Sequence, residues 1–255
     1  MFKYEKKIWG LKMYENWFEY KSNDNSIFSL NAYLHIRDNS HKKTFHLKRN
    51  SYSVENILNE SDDQLLARFS KTNRYQIKKA IKEGINCSQE NDLLKFENFF
   101  NQFAKEKHLP KVSARNLKSL EPNLTISFAC LNNHTLVAHS YITDQDLGIV
   151  RLYHSASKRL DETYENLTIG MANKLLHYKD MIFFKENGFK IYDFGGYYES
   201  TNKSLQGINR FKLSFGGEKV THSNYFSPTC LVFRKTSQII EKVKKRIAYL
   251  PHVPF

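Results

Sequence analysis

Three polar side chains in the second half of the chain have the chemistry needed to move a proton or to stabilise a developing negative charge. Lys212 lies on a predicted amphipathic helix, His154 on a predicted strand, and Asp193 on an otherwise apolar strand that runs into Gly195 and Gly196. An ammonium group can stabilise an oxyanion, histidine can act as a base near neutral pH, and a carboxylate can orient an amine. Each residue also has a plainer interpretation: a solvated lysine, a packed strand histidine, and a carboxylate that caps backbone amides in the glycine turn. We take all three as candidate catalytic residues.

Glycines and aromatic side chains adjoin these candidates and could form the walls of a pocket. Two successive glycines favour a positive φ or a close approach of the backbone to a ligand, and a tight turn without a ligand is the alternative. An aromatic ring next to a candidate can stack on a substrate, although a core position is the alternative for Phe211. The candidate substrate-binding residues here are Gly195, Gly196, Tyr153, Tyr197, Tyr198 and Phe211.

A basic helix is predicted from Ser61, which begins a capping-box pattern, to Gly84, a typical helix end. Arg74, Lys78 and Lys79 lie on its outer face, and such side chains pair well with phosphate. They could bind a diphosphate-linked sugar or lipid, or an RNA backbone. A solvated helix face is the alternative.

A second basic amphipathic helix is predicted over Ser237–Leu250. It could contact anionic lipid or RNA. A solvated outer face with ordinary core packing on the inner face is the alternative interpretation.

The composition is that of a folded protein, and its charge is compatible with a polyanionic partner. Hydrophobic residues make up 40% of the 255 residues, and Gly and Pro are few (10 and 5), which argues against disorder. The 39 basic residues exceed the 26 acidic ones by 13. This excess fits a nucleic acid, a phosphorylated metabolite or an acidic membrane surface.

Cysteine and histidine usage favours a reduced, metal-free protein. The three cysteines are far apart and odd in number, and the ten histidines show no metal-ligand spacing. We expect no metal and no tightly bound cofactor. The charged first 20 residues and the lack of a long apolar run predict a cytoplasmic protein, with peripheral contact at the inner membrane face left open. Phosphate-loop, dinucleotide-binding, nucleophile-elbow and zinc-protease motifs are absent from the sequence.

Hydrophobic periodicity predicts two parts of different character. Residues 1–50 read as short strands in a small antiparallel sheet. From Ile85 the predicted order is β-α-α-β-β-β-α-β-α-β-β-α, in which Thr229–Arg234 is a late strand. This order predicts a mixed sheet with helices on both faces. We place the domain boundary between residues 84 and 85.

The second part resembles the FemAB-like branch of the GNAT acyltransferase superfamily. The resemblance rests on the motif segments Ile191-Tyr192-Asp193-Phe194-Gly195-Gly196, Gly207-Ile208-Asn209-Arg210-Phe211-Lys212 and Phe215-Gly216-Gly217. That branch contains aminoacyltransferases that build peptidoglycan bridges and related cell-envelope acyltransferases. The resemblance implies an α/β (α+β) fold with a GNAT-like mixed sheet flanked by helices. It also implies that residues 1–84 are a partial or truncated GNAT-like subdomain ending in the basic helix, followed by a GNAT-like acyltransferase domain over residues 85–255.

The implied activity is acyl or aminoacyl transfer to an amine or hydroxyl of a cell-envelope precursor, by direct attack in a ternary complex. The acceptor would be a nucleotide- or lipid-linked sugar, and Lys212 would face the oxyanion or a donor phosphate. Ser157–Thr163 contains no glycine, so a backbone cradle for the CoA pyrophosphate has no support in the sequence. Aminoacyl-tRNA is therefore the favoured donor, and acyl-CoA stays open. The alternatives are an acetyl-CoA-dependent amino-sugar N-acetyltransferase and a non-catalytic module that binds RNA or anions.

Overall fold

A computed structural model of the protein describes residues 2–8, 11–18, 28–37, 46–159, 164–236 and 240. The chain forms two compact units: Met1–Ser51 together with His222–Phe255, and Tyr52–Thr221. The predicted boundary after residue 84 lies inside the second unit.

Strands and helices are numbered along the chain. The strands are β1 (Phe2–Ile8), β2 (Leu11–Trp17), β3 (Asn31–Ile36), β4 (Leu47–Ile57), β5 (Asn86–Gln89), β6 (Leu124–Leu131), β7 (His134–Asp144), β8 (Ile149–Ser157), β9 (Ile191–Tyr197) and β10 (Glu218–Phe226). The helices are α1 (Asp62–Ala67), α2 (Lys71–Lys82), α3 (Leu93–Glu106), α4 (Ala114–Lys118), α5 (Asn166–Glu186) and α6 (Lys203–Leu213), and residues 228–236 are also helical. None of the helices in the described ranges combines the length and the apolarity of a membrane span.

The first unit contains a small sheet whose pairing is mixed. Strand β1 pairs antiparallel with β2, and the end of β10 pairs antiparallel with β3. Between them, β2 runs parallel to β3, with Tyr14 opposite Asn31. The prediction of a purely antiparallel sheet was therefore wrong for the middle pair. Two parallel strands need a longer connection than the turn of a hairpin. The pattern of short strands in the sequence does not show whether neighbouring strands are parallel or antiparallel.

The predicted strand Thr229–Arg234 is helical instead. The Ser227 side chain accepts a hydrogen bond from the Cys230 backbone N–H at 3.2 Å, and the Ser227 carbonyl accepts one from Leu231 at 3.1 Å. A serine in this position caps the start of a helix, so the residues that follow adopt helical geometry. The predicted helix Ser237–Leu250 lies outside the described residues apart from Ile240.

The second unit is built on a mixed sheet in the order β4-β9-β8-β7-β6-β5. Neighbouring strands are antiparallel except β8 and β9, which are parallel and joined through α5. The paired register of β8 and β9 runs from Ile149 opposite Ile191 to Arg151 opposite Asp193. Both strands continue beyond that point, β8 to Ser157 and β9 to Tyr197.

Helices cover both faces of this sheet, as the sequence predicts. On β7, His139 and Tyr141 contact Asp180 of α5. The intervening Ser140 bonds to His154 of β8, whose ring packs on Phe100 of α3. Because side chains alternate along a strand, α5 and α3 lie on opposite faces.

The predicted basic helix consists of two shorter helices. Ser61 and Gln64 form the expected capping box at the start of α1, and Gly84 ends α2 with φ of +77°. Between them, Ser70 accepts from the Asn73 backbone N–H at 3.2 Å and so caps α2. The Ser70 N–H donates to Ser214 O at 2.8 Å, so the break is held by the end of α6. Tertiary contact therefore overrides the local helical pattern here.

Candidate active site

A cavity of about 810 Å³ opens in the second unit where β8 and β9 continue past their paired register. Tyr153 lines it from β8, and Gly195 and Gly196 line it from β9. Helix α6 contributes Phe211 and Lys212. Residues that are far apart in the sequence therefore meet at one hollow.

Lys212 lies in the last turn of α6, with its side chain largely buried against the cavity. The helix is positioned by Asn202, whose side chain accepts from the backbone N–H groups of Ser204 and Leu205. Lys212 Nζ donates to the carbonyl oxygen of Gly196 at 2.6 Å. Burial first, and then the nearby Arg151 guanidinium, lowers the pKa of Lys212 to about 8, while the Asp193 carboxylate opposes the shift. The ammonium form therefore still predominates at pH 7.

Asp193 caps a backbone amide in the glycine turn, which is the plainer of the two interpretations given above. Its Oδ1 accepts from the Gly195 backbone N–H at 2.7 Å, and its Oδ2 forms an ion pair with Arg151 Nη1. The residue is 1% exposed and is not among those that line the cavity. Asp193 thus fixes both the glycine turn and Arg151, which does line the cavity.

Gly195 lies where the charged groups converge. Its φ is +80°, a conformation that glycine adopts without the steric cost of a side chain. A β-carbon added there would lie 3.4 Å from Leu152 O, 3.7 Å from Arg151 Nη2 and 4.0 Å from Lys212 Nζ. The backbone of β9 therefore approaches both cations closely.

Tyr153, Tyr198 and Phe211 line the cavity, whereas Tyr197 does not. Asn209 holds the Tyr198 backbone in place, since its Oδ1 accepts from the Tyr198 N–H at 3.1 Å and its Nδ2 donates to Tyr198 O at 2.7 Å. The sequence analysis did not single out Asn209. Its position inside the Gly207–Lys212 motif segment is the signal that could have identified it.

His154 lies away from the cavity. Its Nδ1 is 2.8 Å from Ser140 Oγ, and its ring packs on Phe96 and Phe100. Burial lowers the pKa of His154 to about 4. The base role stays a prediction that the position of this histidine does not support.

The basic face of α2 also does not line the cavity. Arg74 Nη1 donates to the carbonyl oxygens of Ala67 at 2.9 Å and Phe69 at 2.5 Å, so it ties α2 to the end of α1. Lys79 pairs with Glu83 at 3.5 Å, and Lys78 is exposed. Phosphate binding by these residues stays a prediction.

Several cavity residues were missed by the sequence analysis. Arg151 lies on β8, while Asn173 and His177 lie one turn apart on α5. Lys107 and Arg159 add two more cations to the lining. Only the spacing of Asn173 and His177, four residues apart on a helix, could have indicated that they share a face.

A buried polar chain leads from the cavity into the core. His177 Nδ1 is 2.7 Å from the Tyr192 hydroxyl, which is 2.7 Å from the Tyr141 hydroxyl. Tyr141 donates to Asp180 Oδ2 at 2.5 Å. Asp180 also accepts from Ser127 Oγ at 2.9 Å. Burial first, then the Asp180 charge, raises the pKa of both tyrosines well above the usual value, so they stay protonated.

The parallel β8–β9 pair beside the cavity, with α5 as the crossover, belongs to a mixed α+β fold that is GNAT-like and is shared with FemX. FemX has this fold with a TM-score of 0.65, at 10% identity over 91% of this chain and 85% of FemX. L-PGS from Bacillus licheniformis gives a TM-score of 0.53, at 10% identity over 86% of this chain and 74% of that protein. A C-terminal domain described as that of a lysylphosphatidylglycerol synthetase from Agrobacterium fabrum also gives 0.53, at 8% identity over 79% and 71% of the two chains.

Comparison with protein-family models and with curated proteins finds no match to this sequence. The likeness to the three solved structures is therefore one of fold.

Proposed function

We propose that the protein is an acyltransferase that moves an aminoacyl or acyl group onto an amine or hydroxyl of a cell-envelope precursor. The observation that carries the proposal is the position of Lys212, whose partly buried ammonium lies beside the Gly195–Gly196 backbone at the edge of a cavity of about 810 Å³. The fold shared with FemX, together with the motif segments that resemble the FemAB-like branch, supports the choice of acceptor class.

The proposed reaction is a direct attack in a ternary complex. The acceptor nitrogen or oxygen bonds to the donor carbonyl carbon, and the carbonyl electron pair moves onto oxygen. The bond to the leaving oxygen or sulfur then breaks as that pair returns, and the proton lost by the acceptor ends on the leaving atom. The ammonium of Lys212 hydrogen-bonds the oxyanion in place of Gly196 O. A fixed donor in a water-poor site stabilises such charge strongly.

Neighbouring groups keep Lys212 in position for this role. The Arg151–Asp193 ion pair lies beside it and fixes the Gly195 turn. Arg151 is held by the carboxylate, so Lys212 is the cation beside the turn whose hydrogen bond to a carbonyl can be exchanged for one to a substrate. Asp193 thus acts through Arg151 and the backbone and not on the substrate.

Aminoacyl-tRNA is the favoured donor, and a diphosphate-linked sugar is the favoured acceptor. The Ser157–Thr163 segment lacks the glycines of a CoA pyrophosphate cradle, and the net charge of +13 suits RNA. Lys107 and Arg159 in the cavity lining offer charges that pair with phosphate.

The test is a transfer assay with a panel of labelled donors and acceptors. The donors are a mixture of labelled aminoacyl-tRNAs and labelled acetyl-CoA. The acceptors are a UDP-linked muramyl peptide, a lipid-diphosphate-linked muramyl peptide and a UDP-linked amino sugar. Label in a muramyl peptide from tRNA is the expected result. Transfer from acetyl-CoA to the amino sugar would favour the N-acetyltransferase alternative, and salt-dependent RNA binding without transfer would favour the non-catalytic alternative.

Lys212→Ala provides the matched test of mechanism. We expect kcat to fall by roughly 10²–10³-fold, as for removal of one oxyanion donor, with the fold intact. Lys203→Ala removes an exposed lysine from the other end of the same helix and should retain wild-type turnover. Unchanged turnover in Lys212→Ala would overturn the mechanism.

A further inference from the structure

His177 is a buried histidine at the wall of the cavity that the mechanism above does not use. It lies on α5, is 1% exposed, and is among the cavity-lining residues. Its ring packs between aromatic rings, with centroids 4.9 Å from Phe194, 5.3 Å from Phe215 and 5.7 Å from Phe211. This packing fixes the ring plane, so the two nitrogens have defined directions.

The tyrosine chain fixes which nitrogen of His177 carries the proton. Each hydroxyl has one proton to donate. Tyr141 donates its hydrogen bond to the Asp180 carboxylate. In the contact between the Tyr141 and Tyr192 hydroxyls, Tyr192 must therefore be the donor. The Tyr192 oxygen must then accept from His177, which places the proton on Nδ1. The remaining nitrogen of the neutral ring, Nε2, carries the lone pair.

The charges around His177 favour this neutral form. Burial is the largest cause that lowers its pKa well below the usual value, followed by the His139 ring and the Lys212 ammonium. His139 lies 4.3 Å away ring to ring on β7. Tyr192 on β9 and Lys212 on α6 are further titratable groups that face His177. The ring, which lines the cavity, therefore has its acceptor at Nε2 across the pH range in which Lys212 is a cation.

The chain also links the ring to a buried carboxylate. The Asp180 carboxylate accepts hydrogen bonds from Tyr141, Ser127 and Gln89. An imidazolium at His177 would be linked to this carboxylate through two aligned hydroxyls. His139 bridges the same carboxylate, at 3.1 Å, and Asn173 of the cavity lining, at 3.0 Å. Both ends of the network therefore reach the cavity.

We infer, resting on the proposed acyl transfer, that His177 Nε2 takes the proton of the attacking amine or hydroxyl, with Tyr192, Tyr141 and Asp180 as positioning residues. As the nucleophile bonds to the carbonyl carbon, its proton passes to Nε2 and the carbonyl electron pair moves to oxygen. As the electron pair returns, the bond to the leaving oxygen or sulfur breaks, and the imidazolium gives the proton to that atom. His177 ends neutral, so no further reactant is needed. Lys212 stays a cation throughout and has the separate task of stabilising the oxyanion.

The tautomer is tested without any activity measurement. Long-range proton–nitrogen NMR on the full chain with labelled histidine, with the His177 signals assigned by their loss in His177→Gln, should show a protonated Nδ1 and an unprotonated Nε2. In Tyr192→Phe the ring loses the acceptor of its Nδ1 proton, so its nitrogen shifts should change. A ring protonated on Nε2 in the wild-type chain would overturn the inference whatever the protein transfers.

The kinetic test uses His177→Ala, which leaves a gap between three aromatic rings. We expect kcat to fall by about 10²-fold or more, with little change in KM. Added imidazoles should restore turnover, and more basic imidazoles should restore more, because proton transfer follows the basicity of the base. Imidazole should not restore Lys212→Ala, and the exposed His134→Gln should behave as wild type.

Tyr192→Phe serves if His177→Ala does not fold. Loss of the hydroxyl should lower kcat by about 10-fold at unchanged KM, since the imidazolium loses its link to Asp180. Wild-type turnover in both variants, with transfer by the native chain intact, would overturn the role of His177 and leave the proposed function standing. Absence of transfer by the native chain from every donor would remove the proposed function and this role with it.

Discussion

Lys212 Nζ and the carbonyl oxygen of Gly196 are joined by a hydrogen bond of 2.6 Å, although the two residues lie on different elements and are separated by 15 others. The contact brings a helix end to the part of β9 that has left its parallel partner. In this contact the ammonium donates to a neutral backbone carbonyl, which a substrate oxyanion can replace as the acceptor. The site therefore holds its cation in place before a substrate binds.

The pH dependence of transfer should report Lys212. Its pKa of about 8 means that the ammonium is lost as the pH rises through that value. If the cation stabilises the oxyanion, kcat should fall on the alkaline side with a midpoint near pH 8. Lys212→Arg keeps its charge in this range and should be slower but free of the alkaline fall. A wild-type rate that still rises between pH 8 and 9.5 would contradict the cationic role.

The same pKa makes a prediction about stability, with its sign fixed by linkage. The pKa of Lys212 is lower in the folded chain than the ordinary value of 10.5, so between pH 8 and 10.5 the unfolded state binds more protons. Stability should therefore rise with pH in this window, relative to a variant without the group. Urea unfolding of the wild type and Lys212→Met across pH 7.5–10 measures the difference. A difference that falls with pH would show that the lysine is not desolvated in the folded protein.

Asp193→Asn should destabilise the second unit strongly. The variant removes the carboxylate from Arg151, which is only 8% exposed, and breaking one side of a buried pair costs about 3–5 kcal/mol. The exposed pair Lys219–Glu199 is the matched control, and Glu199→Gln should change the free energy of unfolding by about 1 kcal/mol or less. Arg151→Met combined with Asp193→Asn should recover part of the loss. If Asp193→Asn and Glu199→Gln changed the free energy of unfolding in urea by the same amount, this would argue against a buried ion pair at Asp193.

The local parts of the fold could be predicted from the sequence. Capping at Ser61, the helix end at Gly84, and the run of three successive strands follow from short-range chemistry, and the structure has them. The motif around Asp193 and Lys212 also indicated residues that the structure brings to one cavity edge. These features depend on neighbours within a few positions, which the sequence displays directly.

Features set by distant contacts could not be predicted. The break at Ser70 depends on Ser214, and the buried chain of His177, Tyr192, Tyr141 and Asp180 joins three elements. His177 looks like any polar residue on a long, largely buried helix until β7 and β9 are placed beside it. His154 was chosen for its position on a strand, but strand position alone does not say which face a side chain occupies or what covers it.

Gly195 should tolerate alanine poorly for a conformational reason. At φ of +80°, an L-residue pays about 1–2 kcal/mol, and the added carbon would also sit 3.4 Å from Leu152 O. Gly207→Ala is the opposite case, because Gly207 lies inside α6 with no atom within 4 Å of the added carbon, and alanine favours a helix by about 1 kcal/mol. Thermal or urea unfolding should therefore give opposite signs for the two glycine variants. A stabilising Gly195→Ala would mean that the turn at the cavity edge does not hold this conformation.

Gly217 tests whether the last segment of the motif contributes to packing or to substrate contact. A β-carbon there would overlap the Asn56 side-chain oxygen and would lie 2.9 Å from the Glu55 carbonyl oxygen, and Asn56 Nδ2 already donates to Phe215 O at 2.7 Å. Gly217→Ala must displace β4, so we expect the free energy of unfolding to fall by about 3 kcal/mol or more, which is at the upper end for single substitutions. Asn56→Ser shortens the obstructing side chain and should reduce the penalty of Gly217→Ala when the two are combined, which a double-mutant cycle in urea measures. Additive losses would show that Gly217 is required for a reason other than the close approach of Asn56.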